Sequence, residues 1–356
     1  MGKLSDYERK RHFEATPEPS GAEPATPTGP LPRFVVQQHH ARRLHWDFRL
    51  ERGGVLVSWA VPKGIPPDPK TNHLAVHVED HPLEYIDFEG VIPAGNYGAG
   101  KVMVWDSGTY EELKFREEEV MVVLHGRRLE GKYVLFRTRG NDWMIHRMDP
   151  PQDPGREPMP ERLEPMLATP RRALPSPGQD FGHEFSWGGL RALVHVRGGR
   201  ALVRDAEGED VTRRYPELAG LGPELGAREA ILDGEIIALG EGGRPDPELG
   251  RRRQEAASEA EVRRAAREAP AAYMAFDLLY LEGRSTMPLP YRERRRRLAE
   301  LGLRGEHWQT PEHQVGEGEA LLAASREAGL GGVLAKRLES PYRPGGRSRD
   351  WIEVKA

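Results

Sequence analysis

The sequence contains no cysteine. Disulfide bonds, thiolate zinc sites and cysteine nucleophiles are therefore excluded, and any metal ion must be held by histidine, carboxylate or water ligands. Lysine is also absent between Lys132 and Lys336, although arginine is abundant there. Chemistry that depends on a lysine nucleophile in that region is excluded as well.

Long apolar runs are missing too. None approaches the roughly 18 residues of a membrane span, and the first thirty residues contain no apolar segment typical of a secretory signal. The net charge of -4 gives no general indication of nucleic-acid binding. With 37% hydrophobic and 30% charged residues, the 356-residue chain is long enough for two hydrophobic cores. We expect a two-domain cytoplasmic protein that has no contact with membranes.

A stretch rich in proline and charge, residues 148–165, divides the chain. It lacks periodic apolar positions, which indicates an extended linker. We place the linker at residues 150–163, between a first domain at residues 1–149 and a second at residues 164–356.

The two halves differ in pattern. The first begins with an arm, residues 1–32, that includes a proline-rich stretch at 16–32, and continues as short alternating strands with glycine or proline turns. This pattern predicts a compact antiparallel β-barrel or sandwich. In the second half, strands alternate with charged helical stretches at 255–269 and 289–303, which predicts an α+β domain.

The stretch QQHHARRLHWDFRLE, residues 37–51, carries the first candidate site. Side chains alternate along a strand, so His45, Asp47 and Arg49 share one face while the residues between them are apolar. An imidazole and a carboxylate two residues apart on a strand can both reach one divalent cation, and His39 is placed to supply the third ligand. Arg49 offers a planar set of donors to phosphate oxygens.

A second stretch, residues 73–90, repeats the arrangement. Its apolar residues are predicted to face the core. The opposite face of the strand carries polar side chains: His73, His77, Glu79 and, if the strand continues that far, His81. A solvent-exposed face that tolerates histidine is the commoner explanation for one such residue. The combination of both stretches favours a metal-dependent reaction on a phosphate.

These residues belong to a longer ordered pattern. The run H-x5-H-x-D-x-R is followed by SWAVPKG (58–64), VEDHPLEY (78–85), FEGVIPAGNYGAGKVMVWDSGTYE (88–111) and DWMIHRMD (142–149). Over residues 5–149 the chain closely resembles the 3'-phosphoesterase module of bacterial DNA ligase D.

The resemblance implies a β-barrel that uses a divalent metal, typically manganese, to remove a 3'-terminal ribonucleoside or a 3'-phosphate and leave a 3'-hydroxyl. It implies that His39, His45 and Asp47 are the metal ligands. Arg49 and His81 would hold the scissile phosphate. His81 could protonate the leaving oxygen or act only electrostatically.

The same resemblance implies further site residues. Tyr85 and Glu79 would support the catalytic groups, while Arg11, Glu18 and Lys63 would bind substrate. Two positions depart from the family, because His12 and His73 stand where relatives more often have aspartate and arginine. The departures bear on the balance between diesterase and monoesterase activity.

After the linker, five stretches occur in the order found in the nucleotidyltransferase domain of ATP-dependent DNA ligases: EPMLATP (164–170), EFSWGGLRALVHV (184–196), ILDGEIIAL (231–239), YMAFDLLYLEG (273–283) and GGVLAKRLESPYRPGGRSRDWIEVKA (331–356). The resemblance is greatest to the ligase part of ligase D. It implies a nucleotidyltransferase fold, similar to ATP-grasp, from about residue 162. The oligonucleotide-binding domain that follows in the family is not expected here.

The adenylation motif K-x-D-G-x-R of that family reads S-W-G-G-L-R in this chain. Ser186 replaces the lysine that becomes adenylated, and Gly188 replaces the acidic residue. An unactivated hydroxyl is a poor nucleophile and is held closer to the backbone than a lysine amine. Gly331 and Glu353 replace a metal-associated glutamate and a basic residue. We therefore predict a degenerate ligase site without ligase activity.

Other positions of the nucleotide pocket match the family: Arg191, Glu235, Phe276, Asp277, Lys336 and Lys355. Their retention allows either residual nucleotide or DNA binding, or a purely structural role, so ATP binding stays open. We expect the basic runs at 251–253 and 292–297 to be solvated helix faces. Arg343, Arg347 and Arg349 are better candidates for contacts with a phosphate backbone.

The leading hypothesis is an active 3'-phosphoesterase fused to a ligase-like domain that cannot self-adenylate. The family implies DNA 3' ends as substrate, the nucleoid as location, and Ku, a polymerase and a separate ligase as partners in non-homologous end joining. Two alternatives are a working ATP-dependent ligase of the ligase D type and a non-catalytic DNA-end-binding or recruitment module.

Overall fold

The computed structural model describes residues 4–21, 29–226 and 228–356. The chain divides into two compact units, residues 1–154 and 155–356. In its described parts, no helix is both long and apolar enough to cross a membrane.

Within residues 4–21 and 29–154, the first unit contains one short α-helix and nine strands. These are α1 (Ser5–Arg9), β1 (Arg33–His40), β2 (Leu44–Arg52), β3 (Val55–Val61), β4 (His73–His77), β5 (Gly90–Ile92), β6 (Gly100–Phe115), β7 (Glu119–Gly126), β8 (Glu130–Arg139) and β9 (Asp142–Arg147). A 3-10 helix, Leu83–Asp87, lies between β4 and β5. The predicted mainly β unit is thereby confirmed.

The strands form a closed antiparallel barrel. Their order is β1-β2-β3-β4-β9-β8-β7-β6, and the pairing of β1 with β6 closes the ring, while β5 adds to one side of β6. Closure leaves no barrel edge unpaired. Inside, buried Phe34, Phe48 and Trp59 lie in one row, with 6.3 Å between neighbouring ring centroids.

Strand β4 differs from the prediction in both length and orientation. It ends at His77, and Leu74 is 40% exposed while His73 is buried. Nδ1 of His73 lies 2.6 Å from the carbonyl oxygen of Gly64. Four residues further along β4, the ring of His77 packs 5.4 Å from that of Trp59. Because β4 ends at His77 and turns His73 away from solvent, the prediction of one polar face running from His73 to His81 is wrong.

The second unit contains five helices and twelve strands among its described residues. These are β10 (Leu167–Pro170), β11 (Phe181–Ser186), β12 (Leu190–Arg197), β13 (Arg200–Asp205), α2 (Leu221–Leu225), β14 (Ala230–Ala238), α3 (Pro247–Glu255), α4 (Glu259–Glu268), β15 (Ala271–Leu281), β16 (Arg284–Ser285), α5 (Tyr291–Glu300), β17 (Arg304–Gly305), β18 (Trp308–Gln309), β19 (Gln314–Val315), α6 (Gly318–Glu327), β20 (Gly332–Arg337) and β21 (Arg347–Lys355).

The strands of this unit form two sheets, in the orders β13-β12-β14-β15-β18-β17 and β10-β21-β20-β11-β19, with β16 paired to β15. Mixed sheets with helices confirm the α+β prediction. The segment that follows residue 154 is part of this unit, because the amide of Glu157 donates to the carbonyl oxygen of Gly283 at 2.7 Å. The division at 154 lies inside the stretch predicted as a linker.

The basic runs on α3 and α5 are only partly solvated, which corrects the prediction. Arg253, Arg294 and Arg295 are buried. Arg253 pairs with Glu217 at 2.9 Å, and Arg294 forms two hydrogen bonds with Asp277 at 2.7 and 2.9 Å. Arginine enters these positions because a buried carboxylate neutralises each guanidinium.

Candidate metal centre and nucleotide pocket

Three side chains on neighbouring strands form a candidate metal centre. His39 on β1 lies directly opposite His45 on β2, and Asp47 follows two residues later on the same face. Their ligand atoms all lie within 4.8 Å of one another. Nδ1 of His39 is 3.4 Å and Nε2 of His45 is 3.6 Å from the Asp47 carboxylate.

Hydrogen bonds orient both imidazoles. Nε2 of His39 lies 2.8 Å from the carbonyl oxygen of Gly98, and Nδ1 of His45 lies 3.0 Å from that of Arg43. A carbonyl oxygen only accepts, so in the neutral rings these nitrogens carry the hydrogen and the other two keep lone pairs. Those lone-pair nitrogens are the ones beside Asp47, which fits a divalent cation held by two imidazoles and a carboxylate.

The carboxyl group of Asp47 is buried and charged. Burial by itself would raise its pKa, but Arg49 and the two histidines outweigh that effect and hold the pKa well below its usual range. The residue is therefore an anion at neutral pH, as a hard metal ligand must be.

Arg49 lies beside the candidate metal centre. It donates through Nε to Gln37 at 2.8 Å, through Nη1 to Ser58 at 2.9 Å and through Nη2 to Asp47 at 3.1 Å. A guanidinium has five N–H donors, so one on each terminal nitrogen stays available. The guanidinium carbon of Arg49 lies 4.8 Å from the centroid of the Tyr85 ring, which packs against the guanidinium group.

The N-terminal arm supplies a second arginine. Arg11 donates through Nε to Glu18 and through Nη1 to Glu79, both at 2.9 Å, and its guanidinium lies 3.9 Å above the ring of Tyr7. The hydroxyl of Tyr85 also donates to Glu18, at 3.1 Å. These contacts join the arm, the segment after β4 and the 3-10 helix into one wall.

His81 reaches this wall through backbone pairing with Leu56, although β4 has ended. Its Nδ1 lies 2.9 Å from the carbonyl oxygen of Glu79, and its Nε2 lies 3.2 Å from Nη2 of Arg11. Burial, followed by the charges of Arg49 and Arg11, lowers the pKa of His81 well below 6.5. The imidazole is neutral, with hydrogen on Nδ1 and a lone pair on Nε2.

Most of these groups line one cavity of about 200 Å³. Its lining includes nearly all the predicted residues of the first site: Arg11, Glu18, His39, His45, Asp47, Arg49, Glu79, His81 and Tyr85. Lys63 does not line the cavity, because it is exposed on the turn after β3. His12 is exposed, and neither it nor His73 lines the cavity.

The second unit places the degenerate ligase positions together. Ser186 ends β11 opposite Gly332, and its carbonyl oxygen accepts from the amide of Gly331 at 2.9 Å. Gly188 follows in a turn with φ +71°. At the position of the adenylated lysine, the side chain is the short hydroxyl of Ser186. Glu353 lies across from Leu334 on β21.

Two cations that match the nucleotide pocket of the family, Arg191 and Lys336, are each paired with a carboxylate of this protein. Arg191 forms two hydrogen bonds of 2.6 Å with Asp233, and Nζ of Lys336 lies 2.5 Å from Glu184. Burial lowers the pKa of Lys336, although Glu184 opposes this effect. The ring of Phe276 lies 3.9 Å from Nζ of Lys336.

The other retained positions differ in exposure and in partners. Glu235 is buried and accepts from the amides of Trp187 and Gly189 at 3.1 and 3.2 Å, and burial raises its pKa. Asp277 binds Arg294, as described above, and Lys355 is exposed at the end of β21. The predicted pocket residues are therefore not all directed to one ligand.

Residues 37–137 match the DNA ligase D 3'-phosphoesterase domain, and residues 165–355 match the ATP-dependent DNA ligase domain. The multifunctional non-homologous end joining protein LigD of Mycobacterium bovis is 43% identical over 99% of this chain and 45% of its own length. The protein of that name from Pseudomonas aeruginosa is 36% identical over 99% of this chain and 47% of its own length. The chain belongs to the DNA ligase D family.

The chain spans about half the length of these ligase D relatives. A solved structure of mycobacterial DNA ligase D complexed with ATP and MES is 34% identical, covers 55% of this chain and 60% of its own, and has a TM-score of 0.48. Membership of the ligase D family assigns the barrel to its phosphoesterase domain and the second unit to its ligase domain.

Sequence reasoning missed several residues of the phosphoesterase domain of this ligase D chain. Buried Gln37 accepts from Arg49 and donates to the carbonyl oxygens of Tyr85 and Phe88 at 3.0 and 2.9 Å. Ser58 also accepts from Arg49. The alternation of β1 puts Gln37 on the same face as His39, which is a signal that could have found it.

Proposed function

We propose that the first unit is a phosphoesterase that removes a terminal ribonucleoside or a 3'-phosphate from DNA 3' ends, with manganese as its metal. The proposal rests on one observation: three side chains that could hold a metal ion share a cavity with two arginines and a neutral histidine. The names of the relatives support a role in non-homologous end joining. Ku, a polymerase and a separate ligase are the partners that we propose for this role.

His39, His45 and Asp47 would hold the cation, which would supply charge neutralisation on the phosphate and activation of water. Arg49 would bind the phosphate through its two remaining N–H donors, because its other three are fixed by Gln37, Ser58 and Asp47. A guanidinium fixed in this way requires little reorganisation when charge develops on the phosphate.

His81 would act by position and not as a proton donor. Its Nε2 accepts from Arg11 and its Nδ1 donates to the carbonyl oxygen of Glu79, so neither nitrogen offers a proton to a leaving oxygen. The histidine would instead hold Arg11 toward the phosphate. Glu18 and Glu79 would fix the other sides of the same guanidinium.

A His45→Ala variant tests the proposal. The substrate is a 5'-labelled primer-template that ends in one ribonucleotide, incubated with Mn²⁺ and analysed on a sequencing gel. We expect the wild type to shorten the primer, EDTA to stop the reaction, and the variant to lose activity at least a hundredfold, on the order of a lost metal ligand.

His125→Ala is the matched control, because His125 is exposed on β7, outside the lining of the cavity. It should retain wild-type activity. A wild type that leaves the primer intact with Mn²⁺ while still binding it would instead support a DNA-end-binding module.

We also propose that the second unit does not form a lysyl-AMP intermediate. Ser186 stands at the position of the nucleophile, and the two lysines of this unit are elsewhere: Lys336 is buried against Glu184, and Lys355 is exposed at the end of β21. A serine hydroxyl needs an adjacent base to attack a phosphate. Ser186 has no histidine or carboxylate among its hydrogen-bond partners in the described part of the unit.

A further inference from the structure

Tyr97 is a large aromatic residue at the mouth of the metal-binding cavity. It lines the cavity together with the candidate metal ligands, yet 51% of it is exposed. It lies in the loop between β5 and β6. The roles assigned above to the cavity residues do not include this ring, and an exposed ring contributes little to the barrel core.

The loop that carries Tyr97 is fixed on both sides. Gly95 and Gly98 adopt φ angles of +94° and +74°, which suit glycine, and Nδ2 of Asn96 donates to the carbonyl oxygens of Ala15 and Pro93 at 3.3 Å each. The carbonyl oxygen of Gly98 accepts from the metal ligand His39. The ring is thus held at a set place relative to the metal centre.

Cations accompany the ring. Nζ of Lys10 lies 4.8 Å from its centroid and the guanidinium of Arg11 lies 5.6 Å away. Both cations are held by Glu79 at 2.9 Å. A fixed aromatic face beside positive charge is the combination with which proteins hold a single-stranded nucleotide, because the base stacks while the cations attract its phosphate.

We propose that Tyr97 is the base-binding subsite of this phosphoesterase and stacks on the base of the 3'-terminal nucleoside. The inference rests on the proposed function. In a primer that ends in a ribonucleotide, one ribose joins the scissile phosphate to that base, so a phosphate at Arg49 places the base near the cavity mouth. Stacking is tolerant of sequence, so the subsite accepts all four bases.

The first test compares two substrates. One primer ends in a ribonucleotide with its base, and the other ends in an abasic ribose at the same position. Tyr97→Ala should raise KM for the first roughly tenfold, on the order of the loss of one stacking contact, and leave KM for the second unchanged. Tyr97→Phe should behave as wild type on both.

Equal effects of Tyr97→Ala on the two substrates would overturn the proposal, because the ring would then only position the arm. No effect on either substrate would overturn it as well. Leu113→Ala is the control: Leu113 is 47% exposed on β6 and does not line the cavity. It should change neither KM.

A binding measurement separates this inference from the proposed function. The His45→Ala variant is mixed with a primer that carries 2-aminopurine as its 3'-terminal base, whose fluorescence falls when the base stacks. We expect His45→Ala to quench the fluorescence, and we expect the double variant His45→Ala/Tyr97→Ala not to quench it. Quenching with a wild type that does not trim the primer would support the subsite and overturn the phosphoesterase proposal. Trimming by the wild type without Tyr97-dependent quenching would support the phosphoesterase proposal and overturn the subsite.

Discussion

At the scale of single residues, the hydrogen bonds of each imidazole decide its chemistry. His39 and His45 bond to carbonyl oxygens, and each keeps a lone pair for a cation beside Asp47. His81 bonds to a carbonyl oxygen and to Arg11, and is left without a proton to give. Sequence spacing predicted the first two roles, but left the role of His81 open because its partner lies 70 positions away.

His81 should stay neutral in solutions where an ordinary histidine is half protonated. Burial and two arginines lower its pKa well below 6.5. Nitrogen-15 NMR of the metal-free protein at pH 6.5 should show a neutral ring with hydrogen on Nδ1. The spectrum of His81→Gln assigns the signal. A His81 resonance that titrates with a midpoint near 6.5 would contradict the structure.

At the scale of elements, the structure differs from the sequence-based prediction in which arginines of helix α5 are buried. The sequence predicted the helix α5 but treated its arginine run as solvated, because alternation of charge alone does not show which residues point inward. Arg294 and Arg295 face the protein, where Arg294 bonds to Asp277 on β15 and Arg295 to the carbonyl oxygen of Phe276. These bonds attach α5 to the central strand of its sheet.

Asp277→Asn should destabilise the second unit by about 3–5 kcal/mol, because it leaves the charge of Arg294 buried without a partner. Calorimetry of the full chain measures the change. Glu293→Gln is the matched control on α5, since Glu293 forms only exposed or part-exposed pairs there. It should change the free energy of unfolding little. Equal effects of the two variants would contradict the assigned role of the buried pair.

The same pair predicts how stability depends on pH. Burial would raise the pKa of Asp277, but Arg294 lowers it below the ordinary 3.8. The contribution of this carboxylate is therefore fully present above about pH 4 and is lost as the pH falls through the lowered value. The difference in unfolding temperature between wild type and Asp277→Asn should shrink on acidification. A difference that does not change down to pH 2 would disprove the linkage.

At the scale of the whole molecule, the candidate phosphate chemistry lies in one unit. The residues that line the cavity with the candidate metal ligands run from Arg11 to Gly98 and all belong to residues 1–154. In the second unit the strand and turn of the adenylation motif are formed around Ser186 and Gly188, without a lysine at either position.

Incubation of the full chain with labelled ATP and Mg²⁺ or Mn²⁺ should therefore produce no labelled protein on a denaturing gel. The reason is the missing amine at position 186, since a serine without a base does not attack the α-phosphate. A ligase that retains its motif lysine serves as the positive control. A covalent AMP adduct on the wild type, mapped to any residue, would overturn the proposal for this unit.

The sequence by itself determined the fold classes, the three candidate metal ligands and the loss of the adenylated lysine. The faces of His45 and Asp47 follow from alternation along one strand. His39 and the missing lysine were identified from residue identity and from their place in an ordered motif. Tertiary structure alone decided that His73 and His77 belong to the barrel interior, that Lys63 lies outside the cavity, and that Arg11 bonds to His81. Those outcomes depend on contacts between residues far apart in the chain, whose free energies come from burial and from partners that local spacing does not specify.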